Sequence, residues 1–261
     1  MDKANFYCYA GGKESESICN DITGEVGGVD WQLGYIDHEE FHKKIYSADL
    51  VIIVANLNDS SEVNRVDYMV NLTVRLNVPT LVFALYPISL TIRVGEKGSW
   101  LEQLENIRNT AVLTVLDDDI EGSNMNKFAS LTQHYISEGL SYLSTRLMIA
   151  IRAIIDPVIR QELIGVDFAD YRLAFANKGF YQIKEYSYEF LIQAEVNNYN
   201  WLQVKVIFAT IYLNSKDAID IYSSASRAIS NMLNGSDALL LVCPVIEEYV
   251  ECAPTIVIFY N

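Results

Sequence analysis

An α/β fold built on a doubly wound parallel sheet is what this chain encodes, on three counts. Short apolar runs rich in β-branched and aromatic residues recur along its first half, apolar on both faces, as strands covered on both sides must be. Helical stretches separate them, and that alternation means βαβ units. With 261 residues, 51% of them hydrophobic and 20% charged, the chain can bury a sizeable core as one large domain or two closely joined ones.

The strands of the first half are "NFYCYA" (5–10), "ADLVIIVA" (48–55), "PTLVFAL" (79–85) and "TAVLTVL" (110–116). Between them "EEFHKKI" (39–45), "RVDYMVNLTVRL" (65–76) and "WLEQLENI" (100–107) read as helices. One long helix is expected from Leu131 to Ile155, closed by Asp156-Pro157 because proline cannot continue the ladder. It is apolar around most of its circumference, so it should lie centrally between layers. The rhythm then changes. "WLQVKVIFATIYL" (201–213), "ALLLVCPVI" (238–246) and "APTIVIFYN" (253–261) are strands, and "DAIDIYSSASRAISNML" (217–233) is an amphipathic helix. These imply a smaller α/β sheet domain, giving expected segments 1–130, 131–156 and 157–261.

A formal charge of −15 without a basic stripe excludes nucleic acid, whose binding needs clustered Lys and Arg. The start, "MDKANFYCYAGG", is not a signal peptide, and "LMIAIRAII" (147–155) carries Arg152 and is too short to span a bilayer. Direct membrane insertion is not expected. Cys8, Cys19, Cys243 and Cys252 form no CxxC pair and read as reduced core residues of a cytoplasmic protein. "HEEFH" (38–42) fits the zinc-hydrolase pattern HExxH, with Glu39 as the activating acid. A third ligand is wanting, the helix is short, and Lys43-Lys44 adjoin the site. No metal is expected.

The order of pieces, with "LIGVDFADYRLAFANKG" after the long helix, resembles the FtsZ/tubulin superfamily. "LIGVDFAD" is similar to the L-I-N-x-D-F-A-D loop that FtsZ carries after its central helix. "PVIEEYVECAPTIVI" resembles its closing strands, and "SADLVIIVANL" begins a stretch that aligns without a gap on its strand, phosphate loop, helix and next strand. The resemblance covers nearly the whole chain. It implies a Rossmann-like N-terminal domain, a long central helix and a smaller C-terminal α/β domain. It also implies a split site, with GTP on glycine-rich loops of one subunit and an acidic loop inserted by the next.

On that resemblance the nucleotide half is eroded. The signature glycine loop falls on "NDSSEVN" (58–64), which keeps no glycine. Ser60 and Ser61 stand in the cradle, and Asp59 and Glu62 bring negative charge to a phosphate site. The first loop, "AGGKESES" (10–17), keeps Gly11 and Gly12. The interval between "VDWQLGYID" (29–37), which resembles the second strand, and "EEFHKKI" lacks the family's second loop, a helix and the loop that senses the terminal phosphate. The guanine-reading Asn falls on Ser144, and the family's PND-like loop aligns with "LDD" (116–118), with Asp117 in place of Asn. Bound GTP or GDP is therefore disfavoured. The acidic half is intact in Asp167 and Asp170, though the family's Asn has become Gly165. The same two acids also suit a capping box for a helix over 169–179.

The expectation is a divergent, FtsZ-like pseudo-GTPase of the cell-division cytoskeleton, docking its acidic loop onto FtsZ filaments. Two alternatives stand beside it: a self-assembling filament or oligomer that needs no nucleotide, and a weak GTPase using "AGGKESES" and the acidic loop. The chain stops at its last strand, so recruitment through the family's tail peptide is not expected.

Overall fold

Strand-forming runs and the helices between them assemble into one sheet. The structure, a computed structural model, describes residues 4–34, 38–86, 107, 110–115, 130–160, 168–175, 178–192, 204–214, 218–233, 236–247 and 254–260. In chain order come β1 (Phe6–Ala10), α1 (Lys13–Ile22), β2 (Val29–Gln32), α2 (His38–Ile45), β3 (Leu50–Ala55), α3 (Ser60–Arg75), β4 (Thr80–Ala84) and β5 (Ala111–Thr114). Then follow α4 (Ser130–Ser137), α5 (Tyr142–Ile159), α6 (Phe168–Ala174), β6 (Gly179–Ser187), α7 (Tyr188–Ile192), β7 (Val206–Leu213), α8 (Ala218–Met232), β8 (Leu239–Ile246) and β9 (Thr255–Tyr260). The stretch 100–107, Asp117 and Cys252 lie outside the described residues, apart from Ile107.

Among the described residues the sheet has nine strands in the order β2-β1-β3-β4-β5-β6-β9-β7-β8. Strands β1 to β6 pair with one another in parallel, β9 runs antiparallel between β6 and β7, and β8 is parallel to β7. The α/β architecture is thus as the sequence implies, and the C-terminal strands join the first sheet through the pairing of β5 with β6.

Side chains alternate across this sheet with the period of two that a strand imposes. One face carries Cys8, Ile52, Phe83, Leu113, Tyr181, Phe208 and Phe259 into a core shared with α1 and α5. The opposite face is divided. Val51, Ile53, Val82 and Val112 pack against α2 and α3. Ile207, Ile211, Ile256 and Ile258 pack against α7 and α8. Helix α5 therefore backs both halves, which is why every residue from 144 to 157 is buried. No described helix is long and apolar enough to cross a membrane. Cys8, Cys19 and Cys243 are buried and unbridged, and burial pushes the Cys243 thiol up to about 12.

The central helix departs from expectation twice. It is two helices, not one: Gly139 takes φ +100°, and Ser141 caps α5 by accepting the Ser144 N–H at 3.0 Å. It also runs through Pro157 to Ile159 rather than closing before it. Proline deprives the carbonyl four residues back, that of Ala153, of its helical donor. The Thr210 hydroxyl on β7 donates to that oxygen instead, at 2.5 Å. Its charged residues are matched as well. Arg146 pairs with Glu185 at 2.8 Å. Arg152 bridges Asp156 and Glu247, and Arg160 reaches Glu247 at 2.9 Å. The helix expected over 169–179 ends at Ala174, because Gly179 already donates to the Thr110 carbonyl at 3.1 Å and starts β6.

Candidate functional site

Because β1, β3 and β4 are parallel, their C-terminal ends share one edge, where ligands of open α/β sheets bind. Two connections meet there. Gly11-Gly12 joins β1 to α1, and residues 56–59 join β3 to α3. The first is shorter than the loop expected over 10–17, since α1 begins at Lys13. Glu14 and Glu16 suit the positive end of a helix, and Ser15 accepts the Gly12 N–H at 2.8 Å.

The two connections border a cavity of about 520 Å³ lined by Gly11, Gly12, Lys13, Asp59, Ser61, Glu62 and Arg65, among others. Of the residues singled out from sequence, Gly11, Gly12 and Ser61 come together here, and Ser60 is the first residue of α3 beside them. Ser144 does not line the cavity. It is fully buried on α5, and its hydroxyl donates to Asp21 at 2.9 Å.

Sequence reasoning placed Glu62 here as an added charge but missed its role. Its side chain is only 3% exposed and turns inward, accepting the Asn56 N–H at 2.7 Å and facing the Ser15 hydroxyl at 3.2 Å. It fills the space next to the glycines: a Cβ on Gly12 would lie 2.4 Å from Glu62 Oε1, and one on Gly11 would lie 3.3 Å from Oε2. The signal was present in "DSSE", where a cap residue is followed at the third position by Glu. Such a Glu ordinarily reaches back to the cap's own N–H; this one reaches further, to Asn56.

The other donors of the edge are spoken for in the same way. Asp59 caps α3 by accepting from Ser61 N–H and Oγ, each at 2.8 Å. Glu14 accepts from Asn56 Nδ2 and from the Tyr86 hydroxyl, each at 2.8 Å. Burial, reinforced by the charges of Asp59 and Glu14, raises the Glu62 carboxyl above its usual range. The bonds from Ser61 lower that of Asp59. An anion arriving at this edge meets four carboxylates (Glu14, Glu16, Asp59 and Glu62) against two cations, Lys13 and Arg65, and the Gly12, Asn56 and Ser61 N–H groups already have oxygen partners.

The acidic position that can be located lies at the other edge of the sheet. Asp170 is half-buried in the first turn of α6, whereas Gly165 and Asp167 fall outside the described residues. Tyr171, Arg172 and Phe175 of α6 share a cavity of about 320 Å³ with Leu50 and Thr80, which begin β3 and β4, and with Thr110 just before β5. The six residues of β3 separate the two edges, about 20 Å at the rise of a strand. The Tyr171 hydroxyl donates to the Ile154 carbonyl, and its ring lies 5.2 Å from that of Phe208. On α2, the His42 ring packs against Tyr46 at 4.9 Å. Among the described residues no group of three His, Cys, Asp or Glu side chains is placed to hold a metal.

No protein-family model matches the chain, and no curated protein matches it in sequence. Solved structures do. A W319Y mutant of M. jannaschii FtsZ superposes with a TM-score of 0.72 at 13% identity, over 99% of this chain and 91% of that one. A GTPγS-form protofilament of TubZ from Bacillus thuringiensis serovar israelensis gives 0.59 at 8% identity, over 99% and 87%. CetZ1 from Haloferax volcanii, a GDP-bound monomer, gives 0.56 at 8%, over 98% and 93%. The chain has the FtsZ/tubulin fold.

Proposed function

We propose that this chain is a pseudo-GTPase of the FtsZ/tubulin fold that works by docking its α6 edge, with Asp167 and Asp170, onto the nucleotide end of an FtsZ subunit. The observation that carries this is Glu62. Its buried carboxylate takes the Asn56 N–H at 2.7 Å and overlaps the space beside Gly12, where an FtsZ-like phosphate cradle needs open backbone donors. Glycine loss around it, and Ser144 held by Asp21, support the same reading for the base. The opposite placement of the two edges supports end-to-end docking. A subunit with a docking edge and no nucleotide edge would cap or tune a filament rather than extend it.

A second reading, assembly with copies of itself without nucleotide, is favoured by charge. One edge carries four acids, Glu14, Glu16, Asp59 and Glu62, against Lys13 and Arg65, and the other carries Arg172 and Lys178. Two of the structures with this fold are an FtsZ dimer and TubZ protofilaments.

The test has two stages. Protein purified without added nucleotide is denatured and its supernatant analysed; no guanine nucleotide is expected, and stoichiometric GDP or GTP would overturn the pseudo-GTPase. The chain is then titrated into FtsZ from the same host. A change in GTP turnover at substoichiometric ratios, lost in Asp170→Ala, is expected. Unchanged turnover, with oligomers of the chain alone in sedimentation, would replace FtsZ docking by self-assembly.

A further inference from the structure

The cavity at the α6 edge has a chemistry of its own. Its floor is Leu50, Leu81, Pro79 and Phe175. Every hydroxyl in its wall is already committed: Thr80 donates to the Val78 carbonyl at 3.0 Å, Thr110 to the Thr80 carbonyl at 2.7 Å, and Tyr171 to Ile154. Apart from the exposed Asn77 amide, the lining side chains below the mouth thus offer a ligand apolar contact rather than free hydroxyls. The charge at the mouth comes from Arg172 and Lys178, both exposed. Among the described residues neither forms a salt bridge, and the described lining contains no acid. Asp170, two positions before Arg172, projects from a different side of the helix. Among the described residues, two cations with no salt-bridged acid stand over this apolar floor in a chain whose net charge is −15.

We propose that this cavity is a binding site for a small anionic amphiphile, a carboxylate or sulfonate on a short apolar body. The apolar part would lie on Val74, Val78, Pro79 and Phe175, and the anionic head between the Arg172 guanidinium and the Lys178 ammonium. A volume of about 320 Å³ is at the small end of the range for such sites, which selects a short chain or a single aromatic body. Charge complementarity is the basis for naming an anion: an uncharged ligand would leave both cations as they are, and a cationic one would be repelled by both. The inference does not depend on the state of the opposite edge.

The probe is 8-anilinonaphthalene-1-sulfonate, whose fluorescence rises on entering an apolar site, added to the full chain and displaced by octanoate, octanol or octylammonium. Octanoate is expected to displace it at least about tenfold more effectively than octanol, with octylammonium weakest. The double variant Arg172→Gln/Lys178→Gln should weaken octanoate about tenfold or more, the scale set by losing charge-assisted hydrogen bonds. Because both side chains are exposed, the variant should retain its far-UV circular dichroism and melting temperature. Equal displacement by octanoate and octylammonium, or an unchanged octanoate affinity in the variant, would overturn the proposal in favour of unspecific adsorption to exposed apolar surface. So would failure of all three to displace the dye.

Discussion

Thr210→Val tests how α5 passes through proline. The substitution keeps the shape of a side chain that is fully buried and deletes the hydroxyl that donates to the Ala153 carbonyl. Pro157 has no N–H to offer that carbonyl, so the variant leaves it buried without the donor. An orphaned buried acceptor costs about 1–3 kcal/mol, roughly 2–4 °C in melting temperature for each kcal/mol in a chain approaching this size. Pro157→Ala restores a helical N–H at the required place. In that background Thr210→Val should therefore cost much less, a coupling of about 1 kcal/mol or more between residues that meet only through one carbonyl oxygen. The assay is urea unfolding of the four proteins of the cycle, followed by circular dichroism. If Thr210→Val costs the same with and without Pro157, Thr210 is not replacing the lost helical bond.

Five further outcomes follow from buried charge, from the caps and from the burial of Ser144. Glu62→Gln should stabilise the protein at neutral pH, with the difference from wild type vanishing in acid. Its carboxyl is raised by burial, so the stability it contributes is present below the ordinary carboxylate range and lost as pH rises through the folded value. Asp59→Asn should do the opposite, because Asp59 is lowered by its bonds from Ser61; paired melts at acid and neutral pH separate the two. Arg152→Met should destabilise by about 3–5 kcal/mol in the same urea assay, since it leaves Asp156 and Glu247 buried with Arg160 alone. Ser141→Ala should cost about 0.5–2 kcal/mol as a lost helix cap, and Ser144→Asn should not create guanine binding in a nucleotide titration, because Ser144 is buried against Asp21.

The sequence by itself determined the α/β class, the strands at 6–10, 50–55, 80–84 and 111–114, the amphipathic helix at 218–232, and the two connections at the edge where Gly11-Gly12 and 56–59 meet. Those are local matters: β-branched runs, apolar periodicity and glycine placement act within a few residues. It also shows that 58–64 holds no glycine, which is a statement about sequence alone. Tertiary structure decided what lies far apart in the chain. Helix α5 continues past Pro157 because Thr210, 57 residues beyond Ala153, supplies that residue's carbonyl with a donor. Arg152 is buried because Glu247, 95 residues away, meets it. Glu62, which reads as an ordinary helix-start acid, is drawn inward by the Asn56 N–H and the hydroxyl of Ser15, 47 residues before it. A buried polar group must find its partner wherever the fold provides one, and no local pattern records where that will be.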